Sequence, residues 1–273
     1  MKRKRASIFL TLPIVLAFGA TGCHHVAKAP ATAANAPPAP QAAGTPLASF
    51  QSPSGKTYAR TRIAPADNDE PVEMEPHALT AAARAAGADN YSGTARKAAK
   101  LSIASGDPQN YADLAAILDS LIPDAQMRAM NISKEANSGR LPQEQGAVIV
   151  KAYLYAASKE SDNDFHCIVG SDPGQPTRFM NVEVSALPPS SWPSFATLTA
   201  ARNEFKAFFT SSGDALPTSG YEKYDPPIPI QVTGSLFFDV DHVPPAVGPT
   251  GMKPQTAWEI HPVSDIQFEP VQP

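Results

Sequence analysis

One pattern dominates the second half of the chain. Between residues 146 and 268, five short segments alternate apolar and polar side chains with a period of two, and one segment of helical period interrupts them. A period of two puts successive side chains on opposite faces of extended backbone, so each segment reads as a half-buried strand. In the first, 146–156, Val148, Val150, Ala152 and Leu154 oppose Ile149, Lys151, Tyr153 and Tyr155. In the second, 164–170, Phe165, Cys167 and Val169 face inward, with Asp164 and His166 outward. The third, 178–186, turns Met180, Val182 and Val184 inward. A helix at 195–210 follows, with Ser194 as its expected cap and Leu198, Phe205 and Phe208 or Phe209 along one stripe. The fourth strand, 228–238, carries Ile230, Val232, Leu236 and Phe238 inward. The fifth, 256–268, carries Trp258 and Ile260 inward and bends at Pro262.

Three strands, one helix and two strands predict a mainly β (α+β) fold. The element order is that of a five-stranded OB-fold-like barrel, with the helix between strands 3 and 4 plugging one end. An open sheet with one helix fits the same order, and alternation alone does not separate the two.

The 29 prolines and the charged fraction of only 18% among 273 residues assign part of the length to linker. Lys2, Arg3, Lys4 and Arg5 precede an apolar run at 7–20 that is too short to span a bilayer, the pattern of a secretory signal peptide over 1–22. It ends in Ala20-Thr21-Gly22-Cys23, which resembles the lipobox of bacterial lipoproteins, with Ala20 where leucine is usual. The resemblance implies a diacylated Cys23 thiol, cleavage before it and an acylated amino terminus. Several acyl chains make such an anchor effectively permanent. His24 and His25 stand where an aspartate would imply inner-membrane retention, so the expected place is the periplasmic face of the outer membrane. Adjacent histidines in a disordered segment are at best a weak metal site.

Residues 23–50 are mostly Ala, Pro and small polar side chains, with nothing to form a core, and read as a disordered tether. Residues 51–140 read as a helical or irregular extension. Helical spacing is found at 76–88 and at 110–121, the latter with Tyr111, Leu114, Ile117, Leu118 and Leu121 on one stripe and Pro123 as its stop. The strand-rich domain is then 141–273. Two cysteines exclude a disulfide array and any thiol-built zinc or iron–sulfur site. Cys167 reads as a buried small hydrophobe.

Four strings, Asp162-Asn163-Asp164-Phe165-His166, Arg178 to Val184 (RFMNVEV), Thr233 to His242 (TGSLFFDVDH) and Thr256 to Val263 (TAWEIHPV), resemble a family of uncharacterised exported bacterial proteins that close on the same Trp-Glu-Ile-His-Pro string. The resemblance implies an exported setting and the barrel, and it supplies no catalytic residue.

Charge argues against the commonest ligand of OB-folds. From 141 to 273 there are 7 Lys or Arg against 15 Asp or Glu, a net of −8, so a phosphate backbone has no electrostatic source of affinity. Tyr153, Tyr155 and Phe179 on the outer face are packing sites before they are base-stacking platforms. The loop after strand 1 and the loop after strand 4 share a pole in this fold. They bring Glu160, Asp162, Asp164 and His166 towards Asp239, Asp241 and His242, with Glu259 and His261 on the outward face of strand 5. Carboxylates and imidazoles without thiol suit a divalent cation, with Asp239, Asp241, His242 and His261 as metal candidates. Aspartates at strand ends also cap turns, so a purely structural role stays open. No His-Glu-x-x-His helix and no nucleophile elbow is present. The expected function is a lipid-anchored binding or interaction module for a small ligand or protein. A metal-dependent hydrolase and a structural adaptor are the alternatives.

Overall fold

A computed structural model of the chain describes residues 44–64, 89–175, 178–242 and 248–270. The signal peptide, Cys23, His24, His25, most of the tether and the helix expected at 76–88 lie outside the described residues. Two strands come first, β1 (Thr45–Gln51) and β2 (Thr57–Arg62), and a short third, β3 (Pro108–Tyr111), follows. The five alternating segments are β4 (Ala147–Lys159), β5 (Phe165–Gly170), β6 (Phe179–Val184), β7 (Glu222–Phe238) and β8 (Trp258–Phe268). The helices are α1 (Lys97–Lys100), α2 (Leu114–Ser120), α3 (Asp124–Arg128) and α4 (Phe195–Thr210), with a 3₁₀ turn at Pro142–Glu144.

All eight strands belong to one sheet in the order β1-β2-β7-β8-β6-β5-β4-β3. β7 also pairs with β4, so the neighbours β4, β5, β6, β8 and β7 lead back to β4. β4 can serve two partners because it is 13 residues long and its register shifts between Leu154 and Ala156 on both ladders. An extra residue at that point bends the strand. Within the sheet, Val150, Leu154, Cys167, Met180, Val182, Val232 and Ile260 form the apolar core. α4 adds Phe205, stacked on Phe165 at 4.7 Å between ring centroids, and Phe208, stacked on Phe268 at 4.0 Å. Trp258 is buried as the alternation requires.

Four expectations change. Thr45 to Ser49, assigned to the tether by composition, belong to β1, which pairs antiparallel with β2 and is pinned by Phe50 against Tyr58. The extension is partly strand, since β2 joins β7 and β3 runs parallel to β4. The helix expected at 110–121 is shorter, because Asp113 Oδ1 accepts from Ala116 N at 2.9 Å and starts α2 only there. Ser194 stands at the start of α4, but its hydroxyl donates to Leu101 O at 2.6 Å rather than capping the helix.

The boundary at Leu141 is no break in the packing. Trp258 Nε1 donates to Ile122 O at 2.8 Å, and Arg96 holds both oxygens of buried Glu144 at 2.8 and 2.7 Å. Residues 89–106 are fastened across the strands by Ser92 N to Asp162 O, Arg96 Nη1 to Phe238 O and Ala104 N to Ser235 Oγ. β5 and β6 are accordingly buried on both faces, where alternation predicted one wet face.

Candidate functional site

The polar faces of β5, β6 and β8 meet under that cover. Register sets His166 opposite Glu183 across β5–β6, and Asn181 opposite Glu259 across the parallel pair β6–β8. Glu183 and His261 lie two residues further along and therefore share the same face. β7 runs close by, and a Cβ on Gly234 would stand 2.4 Å from Ile260 Cγ2 and 2.8 Å from Pro262 O, so only glycine admits β8 there.

Glu183 is central. Its Oε1 lies 2.7 Å from His166 Nε2, and its Oε2 lies 2.7 Å from His261 Nδ1. Asn181 Nδ2 donates to Glu183 Oε1 at 2.9 Å and to Glu259 Oε1 at 3.0 Å, which fixes the two carboxylates relative to each other. On the far side of the imidazole, His261 Nε2 lies 3.5 Å from Asp164 Oδ2, while Asp164 Oδ1 accepts from Ala186 N at 2.5 Å. The turn after β7 brings His242 Nδ1 to 2.5 Å from Glu259 Oε1 and 3.8 Å from Asp239 Oδ2. Lys100 Nζ, from α1, lies 3.3 Å from that Asp239 oxygen.

Asp164, Glu183 and His261 are 0% exposed and His166 only 7%. Despite the short separations, neither nitrogen of His261 has a partner in hydrogen-bond geometry, and the same holds for Asp164 Oδ2, Glu183 Oε2, Asp239 Oδ2 and Glu259 Oε2. Buried polar atoms of native proteins are nearly always paired, so six in one centre need an explanation. Two overlapping trios of donor atoms, Asp164–Glu183–His261 and Glu183–His242–Glu259, each fall within 4.8 Å.

Burial and charge compete at every group. Burial opposes a charge on His261, yet Glu183 and its neighbouring carboxylates outweigh it and push the imidazole up to about 10. Burial is likewise outweighed at His242, which Asp239 and Glu259 push up to about 9. Burial raises Asp164 to about 6, against the pull of His261. At Glu183 the desolvation is overcome by His166 and His261, which hold the carboxyl well below its usual range.

The centre thus brings together Asp164, His166, Asp239, His242, Glu259 and His261 of the expected set. It does not include Asp162 or Asp241. Asp162 Oδ1 accepts from Asp164 N at 3.0 Å and shapes the turn, and Asp241 pairs with Lys134 at the surface. The grouping is built on strand faces rather than on two loops at a pole. Glu183, Asn181 and Lys100 were missed as site residues. Their alternation with Val182 and Val184 does place Asn181 and Glu183 on the His166 face, but nothing in the string says that this face is covered. Tyr155 and Phe179 meet edge to face at 5.2 Å in a small apolar cluster with Ile63, Tyr221 and Met252. Cys167 lies in the apolar core.

The chain matches no protein family, no curated protein and no solved structure. The resemblance carried by the four strings therefore rests on those residues alone. Among the described residues no helix is long and apolar enough to cross a membrane.

Proposed function

We propose that this chain is an exported lipoprotein, anchored through Cys23 to the periplasmic face of the outer membrane, whose strand domain is a binding module that holds a divalent cation in the buried histidine–carboxylate centre. The returning order β4-β5-β6-β8-β7-β4, with α4 between β6 and β7, supports a five-stranded OB-like barrel as its frame. The observation that carries the reading is His261. The fully buried ring has Asp164 at 3.5 Å from Nε2 and Glu183 and Glu259 at 2.7 and 3.6 Å from Nδ1, an imidazole–carboxylate donor set of the kind a divalent cation prefers. The full burial of Glu183 and His261 among the described residues favours a held ion over a hydrolytic metal, which needs contact with its substrate.

A structural adaptor is the second reading. It is favoured by the raised His242 and His261, since these two imidazolium ions and Lys100 would balance three of the four carboxylates Asp164, Glu183, Asp239 and Glu259 without a metal. Metal analysis of the full chain purified from membranes separates the two. Bound metal is expected, with a thermal shift on re-addition after chelation equivalent to about 2.7 kcal/mol at a hundred times the dissociation constant. Absence of metal, with a melt indifferent to zinc, manganese, calcium and magnesium, leaves the adaptor. Mass spectrometry of the same preparation tests the anchor: acyl chains are expected on Cys23 and none after Cys23→Ser.

A further inference from the structure

We infer that the cleft between α4 and the outer edge of β8 docks an extended basic segment of a partner polypeptide, which adds to β8 as a strand. The cleft is remote in kind from the buried centre and does not depend on the cation-binding reading. It encloses 560 Å³ between the turn after β1, the flank of α4 that carries Glu204 and Phe208, and the end of β8. One of its walls is strand edge. β8 pairs with β6 only at Glu259 and Ile260, and from Asp265 to Phe268 it pairs with β7 alone. Glu269 N donates to Pro229 O at 2.7 Å, so by the alternation of an antiparallel ladder Asp265 and Gln267 turn their backbone groups to β7, and Ile266 and Phe268 turn theirs away. Among the described residues no strand meets that outer edge. Ile266 is only 3% exposed, and buried backbone N–H and C=O groups are nearly always paired, so this edge has the chemistry of a strand that lacks its neighbour. A strand edge beside a helix holds extended peptides through main-chain hydrogen bonds.

Charge selects the segment. Glu204, Asp265 and Glu269 line the cleft, and no lysine, arginine or histidine does. Glu269 is engaged by the Tyr58 hydroxyl at 2.5 Å and by Lys56 at 3.8 Å, whereas Glu204 and Asp265 are exposed, and Asp265 receives the Gln267 amide at 3.3 Å. Phe208 and Phe268, stacked at 4.0 Å, supply an apolar surface at the same place. The side chains of an added strand alternate between faces, one set meeting this aromatic pair on the core face of β8 and the other meeting Asp265 on the opposite face. A segment that alternates apolar and basic residues satisfies both.

The test is fluorescence anisotropy with the full chain in detergent and a labelled heptapeptide of alternating lysine and valine. Saturable binding is expected. The same peptide with every backbone nitrogen methylated keeps its charge but loses its main-chain donors, and should bind about tenfold more weakly, the worth of one or two hydrogen bonds. Glu204→Gln and Asp265→Asn should each weaken binding by up to about fivefold, the worth of a partly exposed ion pair. Asp214→Asn, at an exposed acid outside the cleft, should leave it unchanged. No binding, equal binding of the methylated peptide, or binding indifferent to both cleft variants overturns the inference. Displacement of the peptide by an equal concentration of 1,5-diaminopentane would reduce the cleft to an ammonium site and overturn strand addition. A chain that runs as a dimer and excludes the peptide would give the edge to a second copy, and overturns it too. Each of these outcomes leaves the metal analysis, and the cation reading it tests, untouched.

Discussion

Glu183 Oε2 and His261 Nδ1 stand 2.7 Å apart at 0% exposure, on neighbouring parallel strands, without an N–H directed at the oxygen. Backbone register across β6 and β8 brings the pair together, and the Glu183 charge then raises the imidazole.

Removing the Glu183 charge should be expensive in the ion-free protein. Glu183→Gln keeps the shape but leaves His166 and His261 without their common counter-charge, and losing one partner of a buried pair costs about 3 to 5 kcal/mol. Urea unfolding of chelated protein measures it. Glu160→Gln, whose carboxylate lies 4.0 Å from His166 Nδ1 and is partly exposed, should stay within about 0.5 kcal/mol of the parent. Equal costs at the two positions would contradict the central place of Glu183.

Asp89 ties the segment before α1 to α4. Burial works against its charge, but Lys206 at 2.8 Å and Arg202 at 2.9 Å outweigh it and hold the carboxyl below its usual range. A carboxyl whose folded pKa is depressed contributes stability above its unfolded value of about 3.9, and that contribution is lost as pH falls through the folded value. Asp89→Asn should therefore be less stable at pH 7 by about 2 kcal/mol, and its deficit should shrink as the pH drops below about 4. Denaturant midpoints against pH check this. A deficit constant down to pH 2 would deny the carboxylate its role.

Burial pushes the Cys167 thiol above its ordinary pKa, and the side chain is 1% exposed. In a Cys23→Ser chain, the only thiol should resist an aromatic disulfide reagent at pH 8 for as long as the protein stays folded. Its labelling rate should follow the unfolded fraction as urea is added. Rapid labelling in buffer would mean that the sheet opens locally.

A fragment beginning at residue 141 should fail to fold cooperatively. It keeps Glu144 and Asp239, both buried, and deletes their partners Arg96 and Lys100 along with the Ile122 carbonyl that receives the Trp258 indole. Circular dichroism melts of the fragment and of a chain beginning at residue 44 make the comparison. A cooperative melt of the fragment within a few degrees of the longer chain would show the covering segment to be dispensable.

The strands that alternate were legible in the sequence, and α4 falls at the residues the helical stripe gave, since both depend on periodicities that a string displays. β1 was not, because Thr45-Pro46-Leu47-Ala48-Ser49 does not alternate and is strand only through its pairing with β2. Leu236 and Phe238 pack on the core as expected, and Phe237 on the opposite face is buried as well, because Arg96 covers its ring and His261 lies against it. In the centre, the outward Asp164, His166, Glu259 and His261 could be named from their spacing. Lys100 could not, since a lysine in a Lys-Ala-Ala-Lys stretch carries no mark of being buried until the segment is folded over the sheet.

That cover spans long stretches of sequence: Arg96 reaches Phe238, 142 residues away, before the space above Glu183 is enclosed. Closing loops of this length delays such contacts relative to local ones. The carboxylates and imidazoles are therefore expected to stay hydrated on an open sheet until the cover closes. His166, Asn181 and His261 face Glu183 from the strands themselves, and the cover adds Lys100 beside Asp239 as it excludes water.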